Sequence, residues 1–233
     1  MRLRTNSLIR CCQAEFLGTF TLVFAGTGTI VLDGSSDWPI GNLGIGIVFG
    51  LAIGLMVYAT RHVSGSHFNP AISFALAAYG RFRYRDVPAY IVSQIGGAVA
   101  ASLLLLVLAG NRGQLGTTVP TVTLGEALTI EIAITALLAF VVAFVASKQN
   151  LSSLTAALGI GGAISVGAIL AGPLTGGSMN PARSFGPALA TFTFEDQWVF
   201  WLGPLLGALL GMTAYTRIVR SNNGVQTGPP WPS

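Results

Sequence analysis

Two stretches, SHFNPAISF (66–74) and GGSMNPARS (176–184), place Asn-Pro-Ala inside an otherwise apolar chain. Asparagine is a favoured N-cap and proline is favoured at the first helical position, so each stretch predicts a helix that begins at the proline. From Asn69 to Tyr79 is ten residues, or about 15 Å of helix, half of a ~30 Å hydrocarbon core. We therefore predict two re-entrant half-helices whose N-termini meet near the centre of a membrane.

The composition indicates a membrane protein. The chain is 52% hydrophobic and 9% charged, with a mean hydropathy of +0.69, whereas a soluble domain carries about 25% charged residues. A span needs about 20 mainly apolar residues. The charge-poor runs predict an all-α membrane protein with six transmembrane helices, near residues 12–32, 41–61, 86–109, 124–146, 153–172 and 197–219.

The basic residues predict the orientation, because Lys and Arg are enriched in cytoplasmic loops. With the N-terminus inside, ten of the 12 basic residues face the cytoplasm, and only Arg112 and Arg183 face outward. Both termini, including a tail at 220–233, are then cytoplasmic, in a plasma or inner membrane. The pI near 9.5 fits the anionic inner leaflet better than a nucleic-acid partner.

The chain contains an internal repeat. AEFLGTFTLVFAG (14–26) resembles IEIAITALLAFVVA (130–143), and each is followed by one Asn-Pro-Ala, 54 residues after Glu15 and 49 residues after Glu131. Each half holds three spans, an odd number, so the second half begins on the opposite side of the membrane. We therefore predict one channel domain over residues 1–233, built from inverted repeats at about 9–110 and 123–219, with its site at the midplane between them.

The motifs predict a path for neutral hydrogen-bonding molecules. SGSH (64–67) and TGGS (175–178) are glycine-rich, and irregular backbone at this depth must be buried or line water. Asn69 and Asn180 can donate amide N–H groups, while the two helix dipoles put positive potential at the centre, which opposes cations and protons. The residues predicted to expose carbonyls to the lumen are Gly65, Ser66, His67, Gly176 and Ser178.

Three charged residues lie well inside the spans or motifs, away from the span ends. Arg183 follows Asn180 by three residues, and we interpret it as a pore-lining donor; the alternative is an arginine that snorkels to the outer interface. Ile72 occupies the matching place in the first half. Glu15 and Glu131 are interpreted as acceptors for the irregular backbone before each half-helix, and the alternative is a proton relay.

The two motifs, the paired glutamates and FWLGP (200–204) together resemble the aquaporin or major intrinsic protein family over residues 9–219. The resemblance implies a right-handed six-helix bundle with two re-entrant half-helices, one pore per subunit, a homotetramer, and no cofactor or metal. It also implies that the Asn-Pro-Ala residues form the pore centre: Asn69, Pro70, Ala71, Asn180, Pro181 and Ala182.

By spacing from the motifs, the family's selectivity filter falls on Phe49, Ala168, Gly177 and Arg183. Water-selective members resemble Phe, His, a small residue and Arg, so alanine at 168 implies a wider and less polar aperture. This pattern is similar to the nodulin-like intrinsic branch, which passes boric, silicic or arsenous acid, small polyols and urea. We predict a broad pore for water and small neutral solutes, with a strictly water-selective aquaporin as the alternative.

Three other classes remain as alternatives, of which a purely structural membrane protein would have no need of two half-helices or of Arg183. A secondary transporter also uses inverted repeats, but it needs a coupling-ion site, and no midplane acids are predicted to face one another. An intramembrane enzyme would need a catalytic motif, and the sequence contains neither HExxH nor GxSxG. We therefore predict that the protein is not an enzyme.

Overall fold

The computed structural model describes residues 7–34, 39–148 and 150–218. The predicted tail at 220–233 lies outside the described residues. Eight α-helices occupy the described part of the chain: α1 Leu8–Asp33, α2 Gly41–Ser64, α3 Pro70–Ala78, α4 Val87–Ala109, α5 Leu124–Ser147, α6 Ser153–Thr175, α7 Pro181–Thr191 and α8 Val199–Ile218. Six are long and apolar enough to cross a membrane, and α3 and α7 are the short helices that begin at the Asn-Pro-Ala motifs.

The helix ends differ from the predicted ends by three or more residues at three places, one of which is the end of α2, at Ser64 rather than near residue 61. The first helix begins at Leu8 rather than near residue 12, because the Ser7 side chain accepts a hydrogen bond from the Arg10 amide and caps the helix. The sixth helix continues to Thr175 rather than ending near residue 172, although Pro173 lies inside it.

The continuation of α6 through Pro173 has a structural cause. Proline has no amide N–H, so the carbonyl four residues earlier, at Ile169, loses its helical partner. The Asn42 side chain, at the start of α2, donates to that carbonyl at 2.5 Å. This hydrogen bond replaces the lost one and joins the two halves of the chain at Ile169, the residue that follows Ala168.

The packing of the helices follows the same pattern in the two halves of the chain. The second-half counterparts of α1 to α4 are α5 to α8 in order. Helix α1 packs on α2 and α4, as α5 packs on α6 and α8. Each short helix lies against the fourth helix of the opposite half, α3 on α8 and α7 on α4, and α2 packs against α6 at the centre.

Glycines allow the central helices to approach closely. A Cβ added to Gly50 of α2 would lie 2.4 Å from the Gly161 carbonyl oxygen, and one added to Gly207 of α8 would lie 2.5 Å from the Ile132 carbonyl oxygen of α5. No real Cβ contact is that short, so these positions exclude any side chain. The glycine spacing in α2 and α8 therefore sets the distances between the helices around the site.

Candidate functional site

The two motif asparagines tie the N-termini of α3 and α7 together. Asn69 Nδ2 donates to the Met179 carbonyl at 2.7 Å, and Asn180 Nδ2 donates to the Phe68 carbonyl at 2.8 Å. Each Asn Oδ1 also accepts the amide of the second residue after it, at 2.9 Å for Ala71 and 3.0 Å for Ala182. Because a side-chain amide has two N–H groups, each asparagine keeps a second donor beyond its bond to the opposite half.

The backbone before each short helix repeatedly enters the left-handed region. Non-glycine residues rarely adopt positive φ, and such strain persists only where surrounding bonds impose it. The residues in this conformation are Gly65 (φ 87°), Ser66 (55°) and Phe68 (50°) in the first half, and Gly176 (82°), Gly177 (57°) and Met179 (53°) in the second.

Glu15 of α1 holds the first of these segments. Its Oε1 accepts the Ser64 hydroxyl at 2.7 Å and the His67 amide at 2.9 Å. Its Oε2 accepts the Phe68 amide at 2.6 Å and Gln94 Nε2 at 2.8 Å. The side chain is fully buried. Two of its four bonds hold the irregular backbone, and the other two hold the Ser64 and Gln94 side chains beside it.

Glu131 of α5 makes the matching set in the second half. Its Oε1 accepts the Thr175 hydroxyl at 2.7 Å and the Ser178 amide at 2.9 Å, and its Oε2 accepts the Met179 amide at 2.9 Å. Glu131 is also fully buried. Each carboxylate thus accepts two successive backbone N–H groups and one hydroxyl in the segment that leads into its short helix.

A cavity of about 30 Å³ runs past the junction of the two short helices. We call it the central cavity; by volume it holds roughly two waters. Ten of its lining residues are Phe49, Ser66, His67, Asn69, Ile72, Gly177, Ser178, Met179, Asn180 and Arg183. Its remaining wall, from Leu22, Ile53, Phe68, Leu138, Val142, Ile160 and Ile164, is apolar.

The other predicted site residues stand behind this wall. Pro70, Ala71, Pro181 and Ala182 are buried in the first turns of α3 and α7. Gly65 and Gly176 end α2 and α6 and are not among the residues that line the cavity.

Arg183 lies in the cavity wall, where it is 1% exposed, and not on the outer surface of the helices. Its Nη1 donates to the Gly116 carbonyl at 2.7 Å and its Nη2 to the Gly176 carbonyl at 3.4 Å. The guanidinium carbon is 5.1 Å from the centre of the Phe49 ring, within cation–π range. Its Nε has no hydrogen-bond partner among the described residues.

Ala168 and Gly177, two of the residues predicted to form a filter, lie against each other. A Cβ added to Gly177 would lie 3.1 Å from Ala168 Cα, and the positive φ of Gly177 independently favours glycine. Ala168 itself does not line the central cavity, but Ile164, one turn earlier on the same face of α6, does. A longer side chain at 168 would therefore extend beside Ile164 into the cavity.

Several residues of the site were not predicted. Gly116 is the last residue of a turn over Arg112–Gly116 in which Gln114 and Leu115 have positive φ, and no sequence signal indicates its carbonyl as a partner of Arg183. Ser64 and Thr175, by contrast, each precede a motif asparagine by five residues, and comparison of the repeats reveals them.

A metal site is not indicated by side-chain clustering. Within residues 7–34, 39–148 and 150–218, no three His, Cys, Asp or Glu side chains come together as a metal would require. His67, which borders the central cavity, instead places its Nδ1 3.1 Å from the Ser73 hydroxyl and packs against the rings of Phe82 and Tyr90.

Comparison with known proteins gives the family. The family model described as "Major intrinsic protein" matches residues 2–215. Aquaporin NIP1-1 of Zea mays is 42% identical over 210 residues, covering 90% of this chain and 74% of that protein. The probable aquaporin NIP7-1 of Arabidopsis thaliana is 37% identical over 212 residues, covering 90% of this chain and 77% of that protein.

A solved structure shares the fold. The aquaglyceroporin from Plasmodium falciparum superposes with a TM-score of 0.80 at 24% identity, covering 91% of this chain and 97% of that one. The relatives of the present chain are aquaporin channels and not enzymes. The chain therefore belongs to the major intrinsic protein family, as a multi-pass membrane channel for water and small solutes.

Proposed function

We propose that this channel passes glycerol, urea and metalloid hydroxides such as boric or arsenous acid together with water, and that it excludes ions and protons. The observation that carries the proposal is the filter composition. Phe49, Gly177 and Arg183 border the central cavity, while position 168 has only a methyl group. No imidazole narrows the aperture on the α6 side.

The wall chemistry supports passage of polyols and acids without charge. The lining of the central cavity combines residues that carry N–H donors, Arg183, Asn69 and Asn180, with a set of apolar side chains. A glycerol or boric acid molecule has hydroxyl groups for the donors, and a polyol adds a carbon backbone for the apolar wall. An ion would lose its hydration shell without enough compensating ligands.

Exclusion of cations follows from two sources of positive potential. The N-termini of α3 and α7 point at the junction and carry partial positive charge. Arg183 adds a full charge one helical turn beyond Asn180, with its Nη1 and Nη2 bound to carbonyls. We propose that Glu15 and Glu131 serve as scaffold and not as a proton relay, since all of the hydrogen bonds described above hold backbone or supporting groups.

A strictly water-selective pore is the second candidate. The observation that favours it is the 5.1 Å contact between the Arg183 guanidinium and the Phe49 ring, which places two large groups beside each other at the filter. If that pair alone sets the aperture, alanine at 168 does not widen it enough for glycerol.

We also propose the assembly and placement that the family resemblance implies. These are a homotetramer with one pore per subunit, in a plasma or inner membrane, with both termini in the cytoplasm. Chemical crosslinking in native membranes tests the subunit number. Accessibility of single cysteines at the chain ends tests the orientation.

The filter is tested by Ala168→His in proteoliposomes. The imidazole extends into the central cavity beside Ile164, so we expect glycerol and urea permeability to fall at least about tenfold, equivalent to a barrier of ~1.4 kcal/mol, while water permeability falls less. Ala168→Gly is the matched control and keeps wild-type solute flux. Equal glycerol flux in Ala168→His and wild type would show that position 168 does not form the filter.

A further inference from the structure

An open groove of about 770 Å³ lies between α1 and α4 on the outer surface of the helix bundle. It is separate from the central cavity and shares no lining residue with it. Its wall is mainly apolar, from Leu8, Ile9, Phe16 and Leu17 of α1 with Ala89 and Ser93 of α4. From Leu8 to Leu17 the groove follows α1 for about 14 Å, half of the hydrocarbon thickness.

One end of the groove is electropositive. The groove residues come from the first turns of both helices, so the N-termini of α1 and α4 lie at the same end and contribute two positive dipole ends. Arg10 is exposed, one turn before Gln13 of the groove wall. Arg85 precedes Ala89 by one turn, and its side chain is 75% exposed.

The nearby acid does not cancel this charge. Asp86 is buried and binds Arg83 at 2.6 Å, whereas Arg85 is 3.9 Å from its other oxygen. Arg10 forms no ion pair with any acid in the described part of the chain. Three arginines and one aspartate leave an excess of two positive charges at this electropositive end of the groove.

We propose that this groove binds one anionic phospholipid of the leaflet in which α1 and α4 begin. The phosphate lies between Arg10 and Arg85 at the two helix N-termini, and an acyl chain follows the groove towards Phe16 and Leu17. Anionic lipid headgroups are attracted to basic clusters at helix ends. The volume of the groove is within the range of volumes found for ligand-binding pockets in proteins. The inference is independent of which solutes the pore passes.

Native mass spectrometry of the purified full chain tests the proposal. The probes are dioleoylphosphatidylglycerol and dioleoylphosphatidylcholine at equal concentration, with the anionic lipid expected to bind wild type more tightly. Near a surface each arginine changes affinity about fivefold, so Arg10→Gln with Arg85→Gln should weaken phosphatidylglycerol binding roughly 30-fold. Arg217→Gln, an exposed arginine at the end of α8, is the matched charge control and keeps wild-type affinity.

A second pair of variants tests the groove itself. Ser93→Phe places a ring in the groove and should weaken binding of both lipids, whereas Val92→Phe places the same ring at a neighbouring position whose side chain is 72% exposed outside the groove and should not. Equal affinity for the two lipids in wild type, equal loss in Arg217→Gln, or unaltered binding in Ser93→Phe would overturn the proposal. A lower subunit number in Ser93→Phe would also overturn it, since a second copy would then cover the groove.

Discussion

Glu131→Gln tests whether the buried carboxylates hold the pore backbone. In the native site Glu131 Oε1 accepts Thr175 and Ser178, and Oε2 accepts the Met179 amide at 2.9 Å. Glutamine keeps one oxygen but replaces the other with an NH₂ group. Whichever way the amide is turned, at least one N–H donor then faces another donor.

The substitution leaves one buried backbone N–H without an acceptor, which should lower the free energy of unfolding by about 1–3 kcal/mol. At roughly 2–4 °C per kcal/mol for a chain of this size, the apparent melting temperature in detergent should fall by about 2 to 12 °C. Water permeability should fall with it, because the Met179 carbonyl partner of Asn69 shifts.

Glu15→Gln is the internal comparison. Whichever way its amide is turned, this glutamine also places an NH₂ against one backbone N–H, that of His67 or that of Phe68, and in the second orientation it faces Gln94 Nε2 as well. Gln94 relieves the second conflict by turning its own amide, because its Oε1 has no partner within the described residues and the Ser73 hydroxyl, which accepts from Nε2 at 2.9 Å, can donate to Oε1 instead. We therefore expect the two variants to lose similar stability.

The measurement is thermal unfolding of wild type and both variants at one scan rate, paired with proton flux in proteoliposomes. An unchanged melting temperature in Glu131→Gln would refute the scaffold argument. Proton uptake that is coupled to solute in wild type and absent in Glu131→Gln would establish the proton relay.

Three further perturbations test other parts of the site. Arg183→Gln removes a charge that contributes ~3 kcal/mol at about 5 Å and an effective dielectric constant near 20, so cation current should rise by roughly one to two orders of magnitude. Planar-bilayer recordings against Arg112→Gln measure it, and an unchanged current would contradict the barrier. Asn42→Leu leaves the Ile169 carbonyl unpaired and should cost about 1–3 kcal/mol; Asn42→Gln is the comparison, and equal melting of Asn42→Leu and wild type would refute this role. Gly50→Val should prevent folding, since its Cβ would lie 2.4 Å from the Gly161 carbonyl, whereas Gly162→Val, with open space at its Cβ, should fold; equal yields of monodisperse protein would contradict the packing argument.

The local features of the fold were predictable because they depend on neighbouring residues. Asn69 and Asn180 cap α3 and α7, and the six long helices have nearly the predicted bounds. The paired motifs also indicated the inverted repeat. Each of these signals is carried by residues adjacent in sequence, where capping preference and apolar length decide the outcome.

Contacts between distant segments were not predictable. The continuation of α6 past Pro173 depends on Asn42, which is 127 residues away from Ile169. A rule that considers only neighbouring residues therefore predicts an end of the helix that is too early. The Gly116 partner of Arg183 is a backbone carbonyl, and its position depends on a turn whose Gln114 and Leu115 adopt a conformation that their types disfavour.

Solute permeability of the wild-type protein tests the central claim most directly. Proteoliposomes are mixed in a stopped-flow light-scattering instrument with osmotic gradients of an impermeant sugar and then of glycerol, urea or boric acid. The account predicts fast shrinkage with the sugar, and shrinkage followed by re-swelling with each small solute at rates well above protein-free liposomes. Fast shrinkage that persists in all three solutes would contradict the broad pore and show that Phe49 and Arg183 suffice for a water-selective filter.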